Sequence, residues 1–426
     1  MSLRATEVFT PGSFPIHTYV ERQDQSLERT LRDALDTPGQ VVSLAGPSKS
    51  GKTVLVEKVV GRDNLITITG AGIESADAIW ERALDWMGAP QTEDRSHSLS
   101  GTIGVESAAK AVMSIPLVVK GEVDLGVKAE VEAGKERTRG YRRRGLAQVV
   151  EEIANSPFVI LLDDFHYMPR AVQEDAAKAV KEAVRLGVKV CTAAVWHRAD
   201  DVVRANPELR GRVRAVDLSY WSLGELRRIG EEGFGALNAR VDPQCIERFA
   251  REAAGSPQLM QLICLTACFT LDLREKRLIP HSVIPHDAAI KSILEQTSAS
   301  TDFRSLVDVL DAGPKTRGIE RKTYEFTDGT EGDVYRCLLK AVAADPPQLS
   351  LHYDDLLTRT AKLCTGDSPV GSSVVGTCVH MTRLAVERFA NERALDWDDQ
   401  KQILDLPDPY LLFYLRWSGR LTESMQ

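Results

Sequence analysis

The sequence predicts an α/β protein: a parallel sheet between two helical layers, then an all-helical unit, then a smaller domain of three helices and a hairpin. Three observations carry this expectation. Short apolar runs at 41–45, 65–69, 158–162 and 188–195 alternate with amphipathic helical stretches. After Leu218 the strand pattern stops and helical periodicity takes over. The first apolar run leads directly into Gly46-Pro47-Ser48-Lys49-Ser50-Gly51-Lys52-Thr53, which fits G-x-x-x-x-G-K-[ST] at every fixed position.

Residues 1–20 contain Pro11, Gly12 and Pro15 and read as an extended lead-in. A helix is expected over 24–36, with Leu27, Leu31, Ala34 and Leu35 on one face, ended by Pro38-Gly39. The strand at 41–45 and its loop pass into a helix with Val54, Leu55, Val56, Val59 and Val60 as apolar residues. Another strand (65–69) and helix (76–87) follow, the latter turning Ile79, Trp80, Ala83 and Met87 inward. The segment at 91–145 stands apart. It is rich in Gly and Ser, then alternates apolar and charged residues over 118–131, as an exposed hairpin or insertion would. It ends in Lys135, Arg137, Arg139, Arg142, Arg143 and Arg144 with Tyr141 among them. That cluster reads either as a solvated linker or as a contact surface for nucleic acid, a partner subunit or an effector.

Residues 146–154 are helical in pattern, and the apolar run 158–162 ends at Asp163-Asp164. A helix at 170–186 and strands at 188–195 and 213–218 complete a core domain over 21–221. Ser222-Leu223-Gly224-Glu225 fits a capping box, and Asp242-Pro243 starts a further helix. Gly255-Ser256-Pro257 interrupts before a strongly apolar helix at 258–273, so 222–298 reads as a small helical domain. In 299–426, helices are expected at 333–344, 353–363 and 370–391. A hairpin is expected within 397–417, turning at Asp398-Asp399. Three helices and a hairpin match a winged helix-turn-helix.

Bulk properties narrow the class. A chain of 426 residues holds two or three domains, and 43% hydrophobic with 27% charged residues suits a globular protein in water. The longest apolar runs are far too short to span a bilayer, and MSLRATEVFTPGSFP lacks the apolar core of a secretory signal. Seven cysteines are scattered without metal-binding spacing; Cys264 and Cys268 lie four apart in an apolar helix, as buried thiols do. A cytoplasmic, reduced protein is expected. The net charge of −8 argues against non-specific coating of nucleic acid.

The chemistry concentrates in two places. In the glycine-rich loop, Gly46 and Gly51 let the backbone turn closely, so successive N–H groups on to Val54, Pro47 having none, can face phosphate oxygens. Pro47, Ser48, Lys49 and Ser50 form the wrap, Lys52 supplies a positive charge for the β- and γ-phosphates, and Thr53 offers a hydroxyl to Mg²⁺. The helix starting there adds its positive dipole end. A nucleoside triphosphate, ATP, is therefore expected. The second place is LLDD at 161–164, on a strand expected beside the first. Asp163 would share Mg²⁺ with Thr53, and Asp164 would polarise the attacking water. Alone, two aspartates after a strand would read as helix caps; with the loop upstream they read as catalytic.

On GPSKSGKT and FVILLDD the chain resembles the AAA+ ATPases over about residues 15–275, particularly the signal-transducing and origin-recognition-like branch called STAND. Thr18-Tyr19-Val20-Glu21-Arg22 resembles the family's lead-in, which implies that Tyr19, Val20 and Arg22 cover the adenine. Asn206-Pro207-Glu208-Leu209-Arg210-Gly211-Arg212-Val213 resembles its arginine-finger segment. The resemblance implies that Arg212, or second Arg210, reaches a neighbouring subunit's γ-phosphate; a plain surface charge is the alternative. Thr192 and His197 occupy sensor positions, although a buried strand threonine and a structural histidine also explain them. Gly255-Ser256-Pro257 resembles the G-x-P element and implies Pro257 near the adenine. Gln258 stands where many relatives place arginine, which suits a slow switch.

Asp408-Pro409-Tyr410-Leu411-Leu412-Phe413-Tyr414-Leu415-Arg416-Trp417 resembles the segment closing the winged-helix domain of archaeal-type STAND ATPases. A reading helix at 370–391 would offer His380, Arg383 and Arg388, a thin phosphate-binding set. Protein contact, or holding the ATPase shut, stands beside DNA binding. The resemblance implies a Mg-dependent ATPase switch that forms homo-oligomers and regulates an effector or sensor protein, in a bacterial defence setting. The alternative is a DNA-loaded ATPase of transposition or replication-initiator type. A small-molecule phosphotransferase is the third and weakest reading, with no acceptor-binding lid visible. No nuclease, protease or TIR-like signature is present, so any such activity would belong to a partner.

Overall fold

Strands β1 (Val41–Ala45), β2 (Leu65–Thr69), β3 (Val159–Asp163), β4 (Lys189–Ala194) and β5 (Val213–Asp217) form one parallel sheet in the order β2-β3-β4-β1-β5. The computed structural model describes residues 2–22, 26–89, 144–195, 205–315, 321–389 and 394–422. The expected alternation at 118–131, the cluster from Lys135 to Arg143, and His197 lie outside the described residues. Arg144 lies within them and pairs with Glu151.

Both faces of the sheet are covered, and this is why β1 is apolar without alternation and buried throughout. Helices α2 (Leu27–Asp36) and α3 (Lys52–Val60) pack on one face, joining Leu31, Leu55 and Val56 to Leu44, Leu161 and Ala193. Helices α4 (Ala76–Trp86), α5 (Leu146–Ile153) and α6 (Arg170–Arg185) cover the other, around Trp80, Ile160, Leu162, Ala176 and Val180. One expectation needs correcting: β3 does not lie beside β1. After α6 the chain returns between them as β4, pairing Asp163 with Ala193 on one side and Leu44 with Ala193 on the other. Val190, Cys191, Thr192, Ala193 and Ala194 are buried and mostly small, which fits the most enclosed position in the sheet.

The helical region contains α7 (Leu223–Ala236), α8 (Pro243–Glu252), α9 (Pro257–Thr270) and α10 (Asp287–Ala299) around Phe234, Phe249, Leu259 and Ile263. The capping box forms: Glu225 N donates to Ser222 Oγ at 3.3 Å, and Ser222 N to Glu225 Oε2 at 2.7 Å. A short parallel pair, β6 (Ala239–Val241) with β7 (His281–Val283), interrupts the helices. The lead-in is also not wholly extended. Arg4 N donates to Glu7 Oε2 at 2.7 Å and starts helix α1 (Ala5–Val8). Ala5, Val8 and Phe9 are buried in the helical region's core, Phe9 edge-on to Phe234 at 5.1 Å.

The C-terminal region runs α11 (Arg304–Ala312), β8 (Tyr324–Glu325), β9 (Glu331–Gly332), α12 (Val334–Ala343), β10 (Ser350–His352), α13 (Tyr353–Leu363), α14 (Gly371–Arg388), β11 (Asp396–Asp398), β12 (Ile403–Asp405) and α15 (Pro409–Trp417). Strands β10, β12 and β11 make an antiparallel sheet in that order. The hairpin is therefore shorter than the sequence suggests, and the apolar run 411–415 is a helix. Asp408 Oδ1 accepts from Tyr410 N at 2.9 Å, with Pro409 in the first turn. The run lacks helical periodicity because α15 is buried on two sides. Phe413 enters the helical region's core, while Leu411, Leu412, Tyr414 and Leu415 enter the C-terminal core.

Candidate nucleotide site

The loop after β1 holds an unusual backbone path: Lys49 has φ of 61° and Gly51 of 91°, both left-handed. Gly46 is required by space, since a Cβ there would stand 2.8 Å from Leu218 Cβ. Ser50 is 3% exposed, and its buried Oγ has no hydrogen-bond partner among the described residues. Lys52 Nζ turns back on its own loop, donating to Pro47 O at 2.7 Å and Gly46 O at 3.2 Å. Burial lowers its pKa from 10.5 to about 8, against the opposing pull of Asp163 and Asp164 and helped by the repulsion of Lys49. A hydroxyl orphaned among the described residues and a desolvated ammonium bonded to loop carbonyls are what a cradle for anionic oxygens presents.

Thr53 Oγ1 donates to Asp163 Oδ2 at 2.7 Å, although β3 is two strands away from β1. Two strand spacings amount to about 10 Å. Helix α3 crosses that gap, packing Leu55 and Val56 in one cluster with Leu161 and Val159. Asp163 Oδ1 accepts from Asp164 N at 3.0 Å, and Asp164 takes a left-handed φ of 54°. Gly70 makes this turn feasible: a Cβ on it would stand 2.4 Å from Asp164 O. One hydroxyl and one carboxylate fit a Mg²⁺ ion that takes its other ligands from phosphates and water. Among the described residues no group of three or more His, Cys, Asp or Glu could hold a metal by itself.

A cavity of about 430 Å³ opens over this loop. It brings together Ser48 through Val54, Asp163, Asp164, Tyr19, Val20, Arg22, Pro257 and Gln258, residues distant in sequence. Gly46 and Pro47 stand behind the loop as acceptors for Lys52. Tyr19 stacks on Phe14 at 5.8 Å and donates to Glu28 Oε1 at 2.7 Å, with Lys58 4.8 Å from its ring centre. Its phenol is pushed well up by burial and then by Glu28. Arg22 is buried at the cavity wall, its guanidinium donating to Glu225 at 3.0 Å, Ser219 O at 2.9 Å and Tyr220 O at 3.1 Å.

Thr192 lies in mid-strand opposite Leu162 and Ser43, buried with its Oγ1 unpartnered among the described residues, and does not line the cavity; Val195 does. Arg210 and Arg212 are exposed at the opposite end of the sheet, where Arg212 O accepts from Val41 N at 2.8 Å. The loop leaves the other end of β1, about 13 Å up the strand. Neither arginine belongs to this chain's own cavity. Sequence reasoning missed the lining residues Thr10, Ser13, Phe14, Trp221 and Gln261. Gln261 ties the lead-in down: its Oε1 accepts from Thr10 N at 3.2 Å, and its Nε2 donates to Thr18 Oγ1 at 2.6 Å.

No protein-family model and no curated protein matches the sequence. Solved structures similar to this one include Cdc6p from Pyrobaculum aerophilum, with a TM-score of 0.45, 13% identity and 99% of each chain covered. The Aeropyrum pernix ORC2 protein gives 0.48 and 12%, covering 99% of this chain and 100% of that one. A Walker-type ATPase of Pyrococcus abyssi gives 0.48 and 14%, covering 95% and 99%. Such likenesses concern fold alone. The fold itself is an α/β arrangement with a five-stranded parallel sheet, a glycine-rich loop after β1, and a helical region following β5. Among the described residues no helix is long and apolar enough to cross a membrane.

Proposed function

We propose that this chain is a Mg-dependent ATPase switch, binding ATP in the cavity over the phosphate loop and hydrolysing it only when a second copy completes the site. The observation that carries the first half is the convergence of Thr53 and Asp163 at 2.7 Å beneath a loop with an orphaned Ser50 hydroxyl. Mg²⁺, held by Thr53 and Asp163, would neutralise phosphate charge. Lys52 would exchange its loop carbonyls for phosphate oxygens, and Asp164 would orient the attacking water. Tyr19, Val20 and Pro257 line the same cavity and would flank the base. The second half rests on the exposed position of Arg210 and Arg212 at the far end of the sheet, where they would serve only a neighbour.

The C-terminal region, with its helices and β10-β12-β11 sheet, is read as a winged-helix domain that contacts protein rather than DNA. The hairpin supports this: its described residues carry Asp396, Asp398, Asp399 and Asp405 against Lys401, which is itself 3.7 Å from Asp398. A wing tracking phosphates would carry the opposite charge. Its docking supports a latch role: Arg416 donates twice to Glu252 at 2.8 Å, and Trp417 Nε1 joins at 2.7 Å. Mass photometry with ADP, with ATP, and with ATP plus duplex DNA tests the reading. Assembly with ATP alone is expected. Assembly only in the presence of DNA would favour the DNA-loaded alternative through Arg383 and Arg388, which are exposed on α14.

A further inference from the structure

We propose that Trp221 is a positioning residue for the phosphate loop, fixing through its indole N–H the peptide that presents Gly51 N–H to a ligand phosphate. The proposal rests on the ATP-binding reading above and names a residue that reading does not use.

Trp221 Nε1 donates to Ser50 O at 2.9 Å. The carbonyl of Ser50 and the N–H of Gly51 belong to one planar trans peptide, in which they point in opposite directions. A donor that holds the carbonyl therefore also sets the N–H, aiming it to the side opposite the indole. Gly51 is the cap residue of α3 and carries a left-handed φ of 91°, so its own backbone preference holds that peptide weakly. The same Ser50 has the buried Oγ without a partner, so this stretch of loop lacks other anchors from its side chain.

The tryptophan is itself held firmly, and from the helical region. Arg22 lies over its ring at 5.3 Å and is fixed by Glu225 at 3.0 Å and by Ser219 Oγ at 2.9 Å. Trp221 N donates to Gly255 O at 3.2 Å, immediately before α9. Its ring packs against the helical region's core while also lining the cavity. A residue doing this needs a large apolar body and a single ring donor, and tryptophan is the side chain that offers both. The consequence is a direct tie between the seat of the helical region and the geometry of one phosphate-facing amide.

The test is calorimetric titration of the full chain with ATP and, by competition, with adenosine, which has no phosphate. Trp221→Phe keeps a ring and removes the donor. ATP affinity is expected to fall about three- to tenfold, adenosine affinity to stay level, and the melting profile to match the parent. Trp221→Ala is expected to weaken both ligands, because the ring goes too. Should phenylalanine disturb folding, β-(3-benzothienyl)alanine at position 221 has the indole outline with sulfur in place of N–H and carries the same prediction. Unchanged ATP affinity, or equal losses for ATP and adenosine, in the donor-less variant would overturn the proposal while leaving ATP binding intact. A parent protein that binds no ATP would instead overturn the reading on which it rests.

Discussion

The phosphate loop and the seat of the C-terminal region are built in opposite ways. The loop is written in eight consecutive residues, and its neighbours on β1 and α3 follow within one 20-residue stretch. The seat is assembled from residues far apart: Arg416 reaches Glu252 across 164 positions and Asp345 across 71, closing at 2.8 Å and 2.6 Å. Both are polar, and both are partly shielded from water. They differ in what fixes them: local backbone geometry with one indole donor from Trp221 for the loop, and the meeting of two already folded surfaces for the seat. A site of the first kind stays built when the C-terminal region moves, whereas one of the second kind reports that movement.

The largest effects should fall on turnover and leave the loop's affinity alone. Arg212→Ala is expected to slow ATP hydrolysis about 10³-fold with ATP affinity unchanged, as phosphate-release assays beside calorimetry will show. Asp164→Ala is expected to slow it about 10²- to 10⁴-fold and to trap the ATP-bound form. Mixing the two variants should restore part of the rate, since the Asp164→Ala copy can lend its Arg212 to an intact site. A mixture as inactive as either variant would remove the claim of action across copies.

Next in size is the seat. Glu252→Gln leaves Arg416, itself 7% exposed, without its main counter-charge. A loss of about 3 kcal/mol is expected. Hydrogen exchange should localise it to α15 and α8, with protection of α3 unchanged. Exchange rising equally around the loop would show that the two regions are not independent, and the comparison would fail.

How much of this was legible follows the same division. The loop, β1 and Asp163 could be read because consecutive residues carry both motif and period. The place of β3 could not, because nothing in residues 158–164 records that β4 will later pass between it and β1. The run from Leu411 to Leu415 lies inside the stretch where a hairpin is expected, and its helix could not be read because a helix buried on two sides loses its period. Thr10, Ser13 and Phe14 escaped notice because a Pro- and Gly-bearing segment has no periodicity to detect, and Trp221 because one tryptophan beside a capping box carries no motif. The cavity's outer wall is therefore a product of tertiary packing, while its phosphate end is local.

The smallest of the effects in this comparison is also the most direct on the central claim, that this loop holds the phosphates of ATP. It is a calorimetric titration of ATP with Mg²⁺ into the parent chain and into Lys52→Ala. Loss of a charge-assisted contact should weaken binding about 10- to 100-fold, with the fold intact by circular dichroism. Equal affinity in the two proteins would contradict the account, placing the nucleotide elsewhere or nowhere on this chain.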